Sequence, residues 1–183
     1  MELNILDWFQ TLHTPILDKI MTSITKLGDA GIFWIILTLL FLIIPKMRKT
    51  GIIMAAALIM DLLICNVAVK NLAARTRPYE VNTSVQLLVA KLHDYSFPSG
   101  HTAASFASVT ALYLAGEKKL WKPALVLACL IAVSRLYLYV HYPTDVLGGM
   151  AFGILAGFAG YWIVKLLEAK LSGRKNAGNQ IRR

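Results

Sequence analysis

Apolar residues gather into five runs, at about residues 28 to 45, 51 to 70, 101 to 116, 122 to 141 and 146 to 167, with polar residues mostly in the breaks. Most runs approach the ~20 residues a helix needs to cross a hydrocarbon core of about 30 Å, so the pattern predicts five transmembrane helices. Ahead of them, Ile5, Phe9, Leu12, Ile16, Ile20, Ile24 and Leu27 recur every three or four residues, with Asp7, Gln10, His13, Asp18, Lys19 and Lys26 between them. That period predicts an amphipathic arm. Thr14 and Pro15 read as a cap and a first-turn proline that divide it into two short helices, neither able to span. They would lie in the interface or pack against the bundle. The expected fold is therefore all-α, a polytopic transmembrane helix bundle of about five spans preceded by an amphipathic interfacial arm. One membrane domain is expected over residues 1–171, with the arm at 1–27 and the bundle at 28–171. Residues 172–183 (SGRKNAGNQIRR) have no apolar period and read as a basic, disordered cytoplasmic tail.

A hydrophobic content of 57% over 183 residues excludes an ordinary soluble domain. The net charge of +9 does not point to nucleic acid, because the basic residues are scattered between apolar runs and no nucleic-acid motif is present. Topology accounts for most of them. Three lie in the loop at Lys46, Arg48 and Lys49, three at Lys118, Lys119 and Lys122, and six between Lys165 and Arg183. The positive-inside rule makes these segments cytoplasmic. Parity then puts the arm, the 76–100 loop and the 142–146 turn outside a cell (inner or plasma) membrane. Lys70, Arg75, Arg77, Lys91 and Arg135 lie on or beside that outer face, against the topological preference, which points to an anionic ligand. Cys65 and Cys129 sit within apolar runs and read as small buried hydrophobes, and no metal-ligand spacing is present. The N-terminus lacks the pattern of a cleaved secretory signal, so the first spanning helix is expected to stay in the mature protein.

The chemistry concentrates in three places. The second run ends in Lys70, Arg77 and Pro78; seven residues make almost two helical turns, which predicts that both cations share a face, arginine as a planar fork for phosphate oxygens and lysine as a mobile charge. Asp61 and Asn66 in the same run are expected to face the bundle. The outer loop ends in F-P-S-G-H-T: Pro98, Ser99 and Gly100 lead into a helix start whose free N–H groups suit an anion, and His101 stands at its rim, placed to protonate a leaving oxygen. The fourth run ends in Ser134 and Arg135, then His141, Pro143 and Asp145. Pro143 cannot continue the preceding helix but suits the first turn of the next, which puts Asp145 near that turn's positive end and beside His141. A carboxylate on one imidazole nitrogen leaves the other free to attack an electrophile. Tyr79, Lys91, His93 and Asp94 read as solvated loop residues, with contact to a headgroup as the alternative.

Lys70, six residues, Arg77-Pro78; Pro98-Ser99-Gly100-His101; and Ser134-Arg135, five residues, His141, three residues, Asp145 resemble in order and spacing the signature of the type 2 phosphatidic acid phosphatase (PAP2) superfamily. The resemblance spans residues 70 to 145. It implies that His141 is the nucleophile of a phosphohistidine intermediate, Asp145 its orienter and His101 the general acid. It also implies that Lys70, Arg77, Ser99, Gly100, Ser134 and Arg135 hold the phosphate, with no metal and no cofactor. The amphipathic arm departs from relatives that begin with a full first helix. The expected function is hydrolysis of a lipid phosphate or pyrophosphate from the outer leaflet, of undecaprenyl pyrophosphate, phosphatidylglycerol phosphate or phosphatidic acid type. A lipid phosphotransferase and a non-catalytic lipid-phosphate-binding membrane protein are the alternatives. Expected partners are the lipid substrate and membrane lipids, with no nucleic acid; oligomeric state has no signal in the chain.

Overall fold

The computed structural model describes the backbone of residues 1–181 and the side chains of residues 1–173. Two short helices, α1 (Glu2–Gln10) and α2 (Pro15–Gly28), part at Thr14, whose hydroxyl accepts from Leu17 N–H at 3.3 Å, as the Thr-Pro pair predicts. Ala30 (φ 49°) and Gly31 (φ 67°) then form a left-handed turn that leads directly into α3 (Ile32–Ile43). Next come α4 (Arg48–Asp61), a π-helical stretch (Leu62–Val69), α5 (Lys70–Ala73) and α6 (Pro78–Val81). A long loop leads to α7 (Gly100–Leu114), followed by α8 (Trp121–Tyr137) and α9 (Pro143–Ile181). No strand occurs among the described residues.

The bundle is organised on α7, whose residues 102–112 are all buried and which packs against α9, α8 and α4. Lipid offers helices no hydrophobic reason to associate, so close approach of small residues must hold them. Here the small residues of α7 meet Gly149, Gly153 and Gly157 of α9, and a Cβ at Gly153 would stand 2.3 Å from the Ala103 carbonyl oxygen. Gly160 gives α4 the same access, against Ala57.

Three helical segments, Pro15–Ile43, Pro45–Val81 and Pro143–Gly173, are long and apolar enough to cross a membrane, the first two broken by left-handed turns at residues 30–31 and 74. The first joins α2 to α3, because the turn at residues 29–31 bends the chain without separating the helices. The two remaining expected spans correspond to α7 and α8, of 15 and 17 residues.

The arm packs on the bundle through Leu6, Phe9, Leu17 and Met21, joined by polar contacts. Asp7 accepts from the Tyr139 hydroxyl (2.7 Å), Asp18 from the Tyr137 hydroxyl (2.5 Å), Gln10 donates to the Tyr137 carbonyl and His13 stacks on the Tyr137 ring. Trp8, Ile16, Ile20 and Leu27 stay exposed. Lys49 pairs with Glu168 and the Thr50 hydroxyl donates to Glu117, which gathers the basic loops at one end of the bundle. The 29–31 turn, the 74–99 segment and the 138–142 loop meet at the other. Cys129 is exposed rather than buried, while Cys65 is buried as expected. The tail's backbone continues as helix to Ile181; residues 182–183, and the side chains from residue 174 onward, lie outside the described residues.

Candidate active site

Lys70 and Arg77 meet, but not on one helical face. Left-handed backbone at Ala74 (φ 42°) ends α5, and Arg77 is instead the N-cap of α6, with Glu80 accepting from its N–H at 3.0 Å. The helical face expected to carry both cations does not form, because Pro78 restricts Arg77 to extended backbone and the loop carries it back beside Lys70. The π-helical stretch before Lys70, a distortion common at functional sites, shifts the register that positions Asn66 and Lys70. The Arg77 guanidinium is 1% exposed as a residue and has five N–H groups. They donate to the Asp94 carbonyl (2.8 Å), the Val140 carbonyl (2.8 Å), His141 Nε2 (3.3 Å), Asp94 Oδ1 (2.6 Å) and the Tyr95 carbonyl (3.3 Å).

His141 does not extend α8. That helix stops at Tyr137, and Tyr139 turns the chain with φ 59° before Pro143 starts α9. Asp145 falls in the first turn of α9 as the proline predicts, and its carboxylate accepts from the Tyr142 N–H at 2.8 Å. Ser96 also donates to it (2.5 Å), and Arg75 holds the other oxygen (2.6 Å). His141 Nδ1 points at the same carboxylate across 3.5 Å, beyond hydrogen-bond geometry. A guanidinium only donates, so the contact from Arg77 makes Nε2 the acceptor and leaves the proton on Nδ1, toward Asp145. The lone pair that a nucleophile needs is on Nε2.

His101 follows the helix start at Gly100, with Ser99 as N-cap. Its Nε2 lies 2.8 Å from Asp29 Oδ1, and its ring is seated against Gly28, where a Cβ would come within 2.7 Å of it. Gly100 is likewise a close approach, its missing Cβ 2.9 Å from the Asn66 side chain. The Ser99 N–H donates to the Asp145 carbonyl and its hydroxyl accepts from Thr102, while the Ser134 hydroxyl is bonded to the Ile131 carbonyl. Arg135 is buried, donates one Nη1 bond to Thr25 and has a buried, unpartnered Nε.

Lys70, Arg77, Gly100, His101 and His141 line one cavity of about 830 Å³, which continues between Ile35, Leu39, Leu58 and Leu62. Asp145, Ser99, Ser134 and Arg135 stand behind that lining. Among the described residues no group of three His, Cys, Asp or Glu could hold a metal ion. Sequence reasoning missed four charged residues. Asp94 is not a solvated loop residue: it bridges Lys70 Nζ and Arg77. Partial burial disfavours its charge, but the hydrogen bonds and charges of Lys70 and Arg77 outweigh this and hold the carboxyl at about 2. Tyr79 is buried too, its hydroxyl donating to the Leu92 carbonyl. Asp29 meets His101, and Arg75 joins Asp145 to Glu2. Arg75 had one signal, its place on the outer face against the topological preference, which suggested an anion but not Asp145; Asp29 and Glu2 had none.

A family model described as the PAP2 superfamily matches residues 50–168. The chain belongs to the PAP2 superfamily. Its relatives include an undecaprenyl-diphosphatase of Sulfolobus acidocaldarius, 32% identical over 142 residues that cover 78% of this chain and 68% of the relative. Phosphatidylglycerophosphatase B of Bacillus subtilis is 31% identical over 174 residues, covering 87% and 79%. The crystal structure of Aquifex aeolicus LpxE superposes with a TM-score of 0.75 at 28% identity, covering 87% of this chain and 93% of that one. A transmembrane PAP2 type phosphatidylglycerolphosphate phosphatase from Bacillus subtilis matches with a TM-score of 0.69 at 30% identity, covering 91% and 84%. This PAP2 chain is a multi-pass membrane phosphatase.

Proposed function

We propose that this PAP2 chain hydrolyses a lipid phosphate or diphosphate at the extracytoplasmic face of the cell membrane, through a phosphohistidine at His141. One observation carries the reading: the unprotonated Nε2 of His141 faces Arg77 at the mouth of a cavity whose far part is apolar. A phosphoryl group at that mouth meets a lone pair and a cation together, while the lipid chain lies between α3 and α4. Attack by Nε2 forms the P–N bond as the P–O bond to the lipid breaks. His101, on the lipid side of the mouth, gives its proton to the leaving oxygen and later takes one from the water that releases phosphate. Lys70, Arg77, Arg135 and the N–H groups after Ser99 disperse the transferring charge. The names of the relatives favour undecaprenyl diphosphate and phosphatidylglycerol phosphate as substrates. Basic loops at the opposite end support an outward-facing site.

The test is phosphate release by purified protein in detergent from undecaprenyl diphosphate, phosphatidylglycerol phosphate and phosphatidic acid. Turnover is expected to survive a strong chelator and to disappear with His141→Ala. His101→Ala should lower kcat roughly 10²- to 10⁴-fold, the usual share of general acid catalysis. Wild-type rates in the His141→Ala protein would overturn the mechanism, and no release from any of the three lipids would overturn the substrate class.

A further inference from the structure

All five N–H groups of Arg77 have partners: three backbone carbonyls, the buried His141 ring and the Asp94 carboxylate. Of these partners the Asp94 carboxylate is the half-exposed one that side-chain rotation can carry out of the site, whereas the Nε2 contact is given up only as His141 attacks. Lys70, 6% exposed, donates one of its three ammonium N–H bonds to the same carboxylate. Asp94 therefore neutralises the two cations, and occupies one N–H of each, that a phosphoryl group beside His141 would need.

We propose that Asp94 is an internal counter-anion seated between Lys70 and Arg77, which the substrate's phosphoryl group displaces, so that the site accepts phosphomonoesters and diphosphates and rejects phosphodiester lipids. The inference rests on the phosphatase reading above and adds how the site chooses its headgroup. The exchange needs no loop opening. The backbone around Asp94 is pinned by the Arg77 bonds to the Asp94 and Tyr95 carbonyls, by Ser96 N–H on the Arg75 carbonyl (2.8 Å) and by Leu92 N–H on the Tyr79 hydroxyl (3.1 Å). The side chain itself is half exposed, and a polar pocket of about 450 Å³ lined by Asn66, Asn71, His93 and Tyr95 adjoins it. Amide, imidazole and phenol groups there can receive the displaced carboxylate.

Charge decides which headgroups succeed. Asp94 brings one negative charge to two cations and, being tethered, competes at a high effective concentration. A phosphodiester also brings one charge and must order itself from the bulk membrane, so it loses. A phosphomonoester or diphosphate brings about two charges and more acceptor oxygens, and forms more charge-assisted bonds with the fork of Arg77 and with Lys70.

The experiment measures hydrolysis of a short-chain phosphatidic acid in mixed micelles, with inorganic phosphate or phosphatidylglycerol added as inhibitor. In the wild type, phosphatidylglycerol is expected to leave the rate unchanged. Asp94→Asn and Asp94→Ala should bind inorganic phosphate roughly tenfold more tightly, the weight of about one favourable interaction, and should become inhibited by phosphatidylglycerol. Asp94→Glu should restore the discrimination. Competitive inhibition of the wild type by phosphatidylglycerol would overturn the proposal without recourse to a variant. Unchanged or weaker phosphate binding in both neutral variants would also overturn it and make Asp94 a holder of Lys70. If the wild type releases phosphate from no lipid monoester or diphosphate, the phosphatase reading fails instead.

Discussion

Each oxygen of the Asp145 carboxylate has its own partners, and that division determines what the group can do for His141. Arg75 takes Oδ1 at 2.6 Å, while Ser96 and the Tyr142 N–H take Oδ2, the oxygen that faces the imidazole. A fully buried carboxylate needs a partner to stay charged, so Arg75 is expected to act as a positioning residue through Asp145. Arg75→Ala should lower kcat about tenfold or more, as loss of an outer partner of a reactive group usually does, with KM little changed. Arg75→Lys should recover part of it, since a point charge can hold Oδ1 without the fork that also reaches Glu2. Steady-state kinetics with a lipid phosphate checks this, and a change confined to KM would move Arg75 from Asp145 to the substrate. Asp94 shows the opposite use of a carboxylate at the same scale. Its depressed pKa of about 2 means that it stays ionised, and its bridge intact, at any pH near neutrality. Because the folded value lies below the ordinary 3.8, its contribution to stability is complete above that value and is lost only as pH falls toward 2.

Among the elements, α7 and α9 matter most for the site, because together they fix His101 and Asp145. Their contact is made of backbone and small side chains, so added volume has nowhere to go. Gly153→Leu should push α9 off Ala103 and cost roughly 1–3 kcal/mol, typical of overpacking. Gly173→Leu, on the same helix with nothing within 4 Å, is the control and should leave the melting temperature unchanged. Thermal unfolding in detergent followed by circular dichroism distinguishes them. A Gly153→Leu protein as stable as the control would show that the contact carries little of the fold. The same reasoning explains why the five-run reading met shorter helices at α7 and α8. α7, buried from Thr102 to Leu112, is not obliged to match the bilayer thickness by itself, and the run that holds α8 continues past Tyr137 as the 138–142 loop.

At the scale of the whole molecule, charge separates the two ends of the bundle. The basic loops gather with Glu117 and Glu168 at one end, and the candidate site residues collect at the other under the arm. Cysteines introduced at Ser84 and Ser172 should therefore react with an impermeant maleimide from opposite sides of intact cells or oriented vesicles, Ser84 from outside. Exposed Cys129 is replaced first, so that only the introduced thiols report. Labelling of both from one side would contradict the topology and with it the outer-leaflet substrate.

How much was legible in the sequence follows the range of the forces. Apolar run length, the Thr14-Pro15 break and the His141-Pro143-Asp145 turn depend on neighbours a few residues away, and bilayer thickness and proline geometry determine them from the chain alone. The family signature was legible for the same reason, as three short blocks at fixed spacing. Only the tertiary structure could place Asp94 on Lys70 and Arg77, 24 and 17 residues away, or tie Arg75 to Glu2 across 73 residues. Such pairs have no period and no local geometry to announce them. They arise where segments distant in the chain are packed together and buried charges must find partners.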